Sequence, residues 1–167
     1  MTSDSPTAFE RFQYSGFSIT KSANNPIPDS AAGGSAIAVG QKSNNGNIGM
    51  NADSIPQPSM LDLLAARGKK TGVVVTCAVT HATPASFIAH NVSRSNNEEI
   101  AVDIANRNNL DVLMGGGKKY FCERKDGENL LDQMFDKGWN IYESLDAVED
   151  NNGKTFAGTD IGMNVLV

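Results

Sequence analysis

The order of strand-like and helix-like segments predicts an α/β domain, a three-layer sandwich in which helices cover both faces of a mainly parallel sheet. The β-branched run at 71–77 is typical of a buried parallel strand. Apolar residues recur at helical spacing between the strand-like runs, as at 100–105. No internal repeat or linker interrupts the pattern, so we expect a single domain, 1–167.

The first third of the chain begins with a short predicted strand at 15–20. A helix of small residues is expected to begin near Ser30. The stretch 44–58, rich in Asn, Gly, Ser and Pro, indicates an irregular loop.

The next predicted helix has a recognisable start and end. Ser59 and Asp62 have the spacing of a capping box, and Gly68 is a suitable C-terminal stop. An apolar face is predicted at Met60, Leu61, Leu64 and Ala65.

The second half continues the alternation after the strand at 71–77. Thr83 is predicted to cap the following helix, with Pro84 in its first turn, where the missing N–H costs nothing. A strand at 111–114 follows the helix at 100–105. The last predicted helix carries the apolar residues Leu130, Leu131, Met134 and Phe135 and is closed by Gly138.

Composition excludes several functions. The net charge is −5 and the basic residues are scattered, so nucleic acid is not an expected partner. No stretch of about 18 apolar residues occurs, and we expect no membrane span. Residues 1–4 lack the basic and apolar regions of a signal peptide, so any export signal has been removed or was never present.

Two other features have structural interpretations. The glycines at 115–117 fit neither G-x-x-x-x-G-K-[ST] nor G-x-G-x-x-G with its acidic partner, which favours a structural turn. Cys77 and Cys122 are too few to define a metal knuckle. They could pair in an oxidising compartment, but a buried free thiol is an equal alternative for Cys77.

Asp29 and Ser30 begin the most informative segment, because small residues follow them through 31–36. A serine in the first turn of a helix lies where unpaired N–H groups and the helix dipole favour a phosphate or oxyanion. Asp and Ser are also ordinary N-cap residues. This segment alone therefore fits either a cap or an anion site.

Further motifs favour the anion site. After D-S-A-A at Asp29, the chain has K-S-N-N-G at 42–46 and T-G-V-V-V-T, H-A-T-P-A and A-H-N-V-S-R within 71–94. L-M-G-G-G-K-K-Y-F follows at 113–121. In this order the motifs resemble those of the alkaline phosphatase family. The resemblance extends from about 14 to 121 and is weak beyond.

The resemblance implies a metal-dependent phosphomonoesterase. Ser30 matches the nucleophile, which forms a phosphoserine and also ligates zinc, and Arg94 matches the arginine that binds the nonbridging phosphate oxygens. Asp29 matches the carboxylate that orients this arginine, and Thr83 matches a hydroxyl ligand of magnesium. His81 occupies a position that is Asp or His in the family, which implies an altered or water-mediated contact with the third metal.

The family binds two zinc ions and one magnesium ion, but most of its zinc ligands have no counterpart in this chain. Neither His81 nor His90 matches one, and His90 is expected to be a core or hydrogen-bonded residue on the helix after Thr83. The early metal-bridging Asp has no match before Ser30, and the late Asp and His elements have none after Phe121. The resemblance therefore implies an incomplete version of the family domain.

Three interpretations follow. The first is a phosphomonoesterase acting on phosphate monoesters, with inorganic phosphate as a further ligand, in a periplasmic or secreted location. The second is a catalytically incomplete fragment that folds and can bind phosphate at Ser30 and Arg94. The third is an unrelated α/β binding domain. Missing strands would leave unpaired sheet edges, so we expect a homodimer or other self-association.

Overall fold

The computed structural model describes residues 7–142 and 153–159. The predicted domain 1–167 extends beyond them, and the interpretation of residues 1–4 lies outside them. Within the described part of the chain, a four-stranded sheet is the centre of the fold, in the order β1-β2-β4-β3, and its described pairings are parallel. The strands are β1 (Gly72–Ala78), β2 (Val112–Gly116), β3 (Trp139–Tyr142) and β4 (Lys154–Thr159). The predicted α/β class with a parallel sheet is confirmed.

In the described residues, six α-helices accompany the strands, and a 3-10 turn covers Phe9–Arg11. The helices are α1 (Ser30–Val39), α2 (Met60–Ala65), α3 (Ala82–Ile88), α4 (Asn97–Ala105), α5 (Lys119–Cys122) and α6 (Leu130–Asp136). The predicted helices are all present, whereas α5, β3 and β4 were not predicted. Strands β3 and β4 lie beyond the motifs, whereas three of the four residues of α5 fall within the last motif, 113–121.

One face of the sheet forms part of the core. Val73, Leu113 and Phe156 lie side by side in register and are buried. Phe156 packs against Phe121 of α5, with ring centroids 5.3 Å apart. On α4, all four predicted apolar positions are buried. Apolar burial of this kind is the main favourable contribution to folding.

The opposite face of β1 is exposed, which corrects the expectation of a wholly buried strand. Val74 follows Val73 and, because successive side chains alternate between faces, points the other way, where it is 61% exposed. The β-branched composition therefore identified the strand correctly but not its burial on both sides.

Three other expectations need correction. Residues 15–20 form no strand and are exposed throughout, and no strand in the described part of the chain pairs with them. Gly115 and Gly116 belong to β2, so the predicted turn at 115–117 is reduced to Gly117, with φ 87°. A Cβ on Gly115 would lie 2.7 Å from a Val79 methyl carbon, so the strand needs glycine for packing. Phe135 is exposed, although the other apolar residues of α6 are buried.

The capping box of α2 is confirmed and is part of a longer polar network. Asp62 accepts hydrogen bonds of 2.7 Å from both Arg107 and Asn109. Burial alone would raise the pKa of Asp62, but these bonds and that from the Ser59 N–H outweigh it and hold the pKa well below its usual value. The apolar face of α2 is only partly covered, because Met60 and Leu64 remain exposed.

Within the described residues, Cys77 and Cys122 form no disulfide, and both are partly buried. The thiol of Cys77 is thus neither paired nor fully enclosed. Within 7–142 and 153–159, no helix has the length and apolar character needed to cross a membrane.

Candidate functional site

The site begins at the N-terminus of α1. Asp29 is the N-cap residue, and its Oδ1 accepts a hydrogen bond of 2.8 Å from the N–H of Ala32. Ser30 is the first residue of the helix and is exposed. Its hydroxyl therefore lies at the positive end of the helix dipole, where an anion is stabilised.

Arg94 lies beside this helix start. Its Nη1 donates to Ser30 Oγ at 2.7 Å and lies 3.4 Å from Asp29 Oδ2. The Arg94 side chain is 39% exposed, so solvent and small anions can reach it. A guanidinium carries five N–H donors in a planar fork. The structure thus brings together three predicted residues, two of which are 64 positions apart in the sequence.

Two residues that the sequence analysis did not assign to the site hold Asp29 in place. Gly46 donates its N–H to Asp29 Oδ2 at 3.0 Å, and its carbonyl accepts from the Arg94 N–H at 2.8 Å. Asn45 Oδ1 accepts from the Asp29 N–H at 3.2 Å. Gly46 has φ 87°, a conformation that glycine adopts without strain. The motif at 42–46 was the available signal, but its residues had no assigned role.

His81 and Thr83 lie at the start of α3. His81, not Thr83, is the N-cap residue, and it makes no side-chain cap hydrogen bond. Thr83 is the second helical residue and is exposed, while Pro84 lies in the first turn as expected. The prediction that Thr83 caps the helix was wrong, because the helix begins at Ala82, two residues earlier than that prediction required.

Close packing places the start of α3 next to α1. A Cβ on Gly34 would lie 3.0 Å from Ser86 Oγ and 3.4 Å from Thr83 Cα. Gly34 is one turn along the helix from Ser30, so both lie on the same face. The Ser35 and Ser86 hydroxyls, 3.2 Å apart, join the two helices further along. Thr83 is therefore beside the helix that Ser30 begins.

His90 lies beyond α3, which ends at Ile88, and not on the helix as expected. The expectation of a hydrogen-bonded histidine is confirmed: its Nε2 lies 3.0 Å from the Gln57 carbonyl oxygen, and its Nδ1 lies 3.6 Å from Asp103 Oδ2. The Asp103 carboxylate raises the pKa of His90, against a smaller opposing effect of burial. Nearby Arg107 also opposes protonation.

This contact predicts a pH dependence of stability. Because the pKa of His90 is raised above 6.5 in the folded state, its stabilising contribution is complete below pH 6.5 and is lost as the pH rises through the folded value. We expect the difference in unfolding free energy between the unmodified chain and His90→Asn to be largest near pH 6 and to shrink towards pH 9. Urea denaturation of both proteins at several pH values from 6 to 9 measures this difference in unfolding free energy. A difference independent of pH would contradict the assignment, and Asp103→Asn should remove the dependence.

The described residues do not provide a complete metal site. Across 7–142 and 153–159, no group of three or more His, Cys, Asp or Glu side chains is placed to hold an ion. The expected ligands Ser30, Thr83 and His81 offer two hydroxyls and one imidazole. Zinc is usually held by three or four His, Cys or carboxylate ligands, and magnesium usually needs at least one carboxylate. This donor set by itself fits neither ion.

Comparison with known proteins agrees with the motifs. The alkaline phosphatase family model matches residues 1–158. Alkaline phosphatase 4 of Bacillus subtilis is 39% identical over 137 residues, covering 79% of this chain and 29% of the relative. The repressible alkaline phosphatase of Saccharomyces cerevisiae is 36% identical over 168 residues, covering 89% of this chain and 30% of the relative.

Solved structures give the same result. Alkaline phosphatase of the Antarctic bacterium TAB5 superposes with a TM-score of 0.79 at 36% identity, covering 86% of this chain and 43% of that one. The cold-active alkaline phosphatase of Shewanella sp. superposes with a TM-score of 0.80 at 34% sequence identity, covering 98% of this chain and 40% of that one. Two TAB5 variants with a histidine replaced by aspartate or glutamate are described with Mg bound in the M3 site. The chain spans less than half the length of these relatives, and over that span it belongs to the alkaline phosphatase family.

Proposed function

We propose that this chain carries the nucleophile and the phosphate-binding arginine of a metal-dependent phosphomonoesterase. The observation that supports this most strongly is the 2.7 Å hydrogen bond from Arg94 Nη1 to Ser30 Oγ at the N-terminus of α1. A hydroxyl and a guanidinium meet there, and both are accessible to solvent. Membership of the alkaline phosphatase family supports the same reaction.

In the proposed reaction, Ser30 Oγ attacks the phosphorus of a phosphate monoester. The Oγ–P bond forms and the bond from phosphorus to the alcohol oxygen breaks. The serine proton passes to solvent water, and the leaving alcohol oxygen takes up one proton from solvent, so the alcohol departs neutral. Water then attacks the phosphoserine, which releases inorganic phosphate and restores the hydroxyl. A serine hydroxyl is a weak nucleophile at neutral pH. The positive field of Arg94 and of the helix terminus favours its ionised form.

Arg94 binds the nonbridging phosphate oxygens in this proposal. Its guanidinium can hold two of them in parallel, which a lysine ammonium cannot reproduce. Asp29 keeps the guanidinium oriented, and it is itself held by Gly46 N–H and Ala32 N–H. The carboxylate is therefore a fixed support for Arg94.

We assign Zn²⁺ and Mg²⁺ as cofactors on the basis of the family. Ser30, His81 and Thr83 are the residues proposed to contact them, and the Mg-bound TAB5 variants support a magnesium site in a relative. Since these three side chains do not make a complete site, further ligands would have to come from outside the described residues.

Turnover of a chromogenic phosphate ester at alkaline pH, with elemental analysis of the same sample, tests the proposed function. We expect turnover to require added zinc or magnesium and to fall at least about 100-fold with a chelator, because metal activation is worth several kcal/mol. Readdition of the metal after removal of the chelator is the control. Turnover that chelation leaves unchanged would contradict the metal dependence.

The remaining assignments concern the whole protein. Its proposed ligands are phosphate monoesters and inorganic phosphate, and its proposed location is periplasmic or secreted, as the family suggests. Self-association, as a homodimer or otherwise, is supported by β1, whose outer edge lies at the end of the described sheet. Sedimentation velocity over a range of protein concentrations measures the association.

A further inference from the structure

Arg94 lies on a turn, 91–96, that joins the segment after α3 to the start of α4. We infer that Glu99 of α4 is a positioning residue for Arg94: through Asn91 and Asn96, it fixes the turn that carries the guanidinium. This inference rests on the proposed function, in which Arg94 binds phosphate. Glu99 has no contact with Ser30 or Asp29 in the structure and acts through the turn alone.

Asn91 is the centre of the arrangement. It is only 9% exposed, and each end of its amide has a partner. Its Oδ1 accepts from the Ser93 N–H at 2.9 Å and from Asn96 Nδ2 at 3.0 Å, on either side of Arg94. Its Nδ2 donates to Glu99 Oε2 at 2.9 Å. The amide thus closes the turn and attaches it to α4.

Glu99 holds both ends of the turn. The same Oε2 that accepts from Asn91 also accepts from Asn96 Nδ2 at 3.0 Å. Hydrogen bonds to an ionised acceptor are stronger than those between neutral groups. Glu99 is adjacent to Ile100, which is fully buried, so α4 gives it a rigid base.

The other side of the turn is tied to the site by backbone bonds. Asn91 and Ile48 exchange two backbone hydrogen bonds, of 2.8 and 3.0 Å. The Arg94 N–H donates to the Gly46 carbonyl. Because Gly46 also holds Asp29, these bonds set where Arg94 meets its carboxylate. The bonds that Asn91 and Asn96 donate to the Glu99 side chain of α4 are a second, independent restraint on the same turn.

The family motif did not indicate this role. Asn91 falls at one of the two unspecified positions of A-H-x-x-S-R, and Glu99 lies outside the motif. The signal is the pair of amide contacts that Asn91 and Asn96 make with Glu99, at 2.9 and 3.0 Å.

The test compares three variants with the unmodified chain. Glu99→Ala removes the acceptor, Glu99→Gln removes the charge but keeps an acceptor, and Glu98→Ala removes an equal charge one residue away. We expect Glu99→Ala to weaken inorganic phosphate binding about five- to tenfold by calorimetry, as expected for one or two lost hydrogen bonds. Glu99→Gln and Glu98→Ala should stay within about twofold of the unmodified chain.

A second readout is independent of phosphate. The ¹⁵N–¹H heteronuclear NOE of Arg94 Nε reports its motion on the picosecond to nanosecond timescale. We expect it to fall in Glu99→Ala and to be retained in Glu99→Gln and Glu98→Ala, with thermal unfolding midpoints confirming that all variants are folded.

The outcomes separate the two proposals. If the unmodified chain binds no phosphate, the proposed function is wrong, and the NOE alone decides the role of Glu99. Unchanged phosphate affinity and unchanged NOE in Glu99→Ala would overturn the positioning role. Equal weakening of phosphate binding by Glu98→Ala would also overturn the positioning role, because the loss of either negative charge would then have the same effect at a distance.

Discussion

Replacing Ser30 with alanine is expected to abolish phosphatase turnover while preserving the fold. The fold should persist because Asp29, not Ser30, caps α1, and alanine has the highest helix propensity. Turnover should be lost because the variant has no oxygen to form the phosphoserine bond. Initial rates with a chromogenic ester measure the loss of turnover, and circular dichroism shows whether the fold is preserved.

A matched serine and a trapping experiment make this prediction specific. Ser95 is exposed and directly follows Arg94, so Ser95→Ala should keep at least about half of the turnover, as is usual for surface substitutions. Incubation with substrate at acidic pH, followed by peptide mass analysis, should place a phosphate on Ser30. Full turnover by Ser30→Ala would rule out the nucleophile assignment.

Replacing Arg94 with alanine is expected to weaken binding of inorganic phosphate roughly 10- to 150-fold. This corresponds to the loss of about 1.5–3 kcal/mol, the range for hydrogen bonds to charged groups. Asp29 would lose its guanidinium partner but would keep the N–H groups of Ala32 and Gly46, so α1 should stay capped. Competitive inhibition by phosphate, or calorimetry where turnover is slow, measures the change.

The comparison with lysine tests the geometry as well as the charge. Arg94→Lys keeps one positive charge but loses the planar fork, and should recover only part of the affinity. Arg67 is exposed and distant in sequence from the site, so Arg67→Ala is a control for the loss of a positive charge. Unchanged phosphate affinity in Arg94→Ala would mean that Arg94 is a surface charge only.

The two predictions concern different steps. Ser30 makes and breaks a covalent bond, so its loss should remove turnover and leave phosphate binding largely intact. Arg94 contacts oxygen atoms that stay on the phosphorus throughout, so its loss should affect both binding and turnover. Measuring phosphate affinity in both variants therefore distinguishes the proposed nucleophile from the proposed phosphate-binding residue.

Much of the local structure could be predicted from the sequence. The start of α1, the capping box at Ser59 and Asp62, and the buried positions of α4 depend on side chains that are at most a few residues apart. Hydrogen bonds to helix ends and the spacing of apolar residues are short-range effects, so a single sequence contains them. The order of the motifs also predicted the family, which the comparisons confirm.

Burial was less predictable, because it depends on what packs against each side chain. Val74 and Phe135 have apolar side chains in regular elements, yet both are exposed. Residues 15–20 have strand-like composition but no partner strand among the described residues. A strand is stabilised by bonds to its neighbour, so composition alone could not decide the outcome.

The sequence by itself determined the chemical groups of the site: a serine at a helix start, an adjacent carboxylate and a distant arginine. Only the tertiary structure decided that Arg94 reaches Ser30, that Gly46 joins Arg94 to Asp29, and that Glu99 holds Asn91 in the turn that carries Arg94. The physical reason is that each of these contacts joins segments from different elements. Their geometry depends on the packing of α1 against α3 and on the backbone pairing of Ile48 with Asn91, and neither is present until the chain has folded.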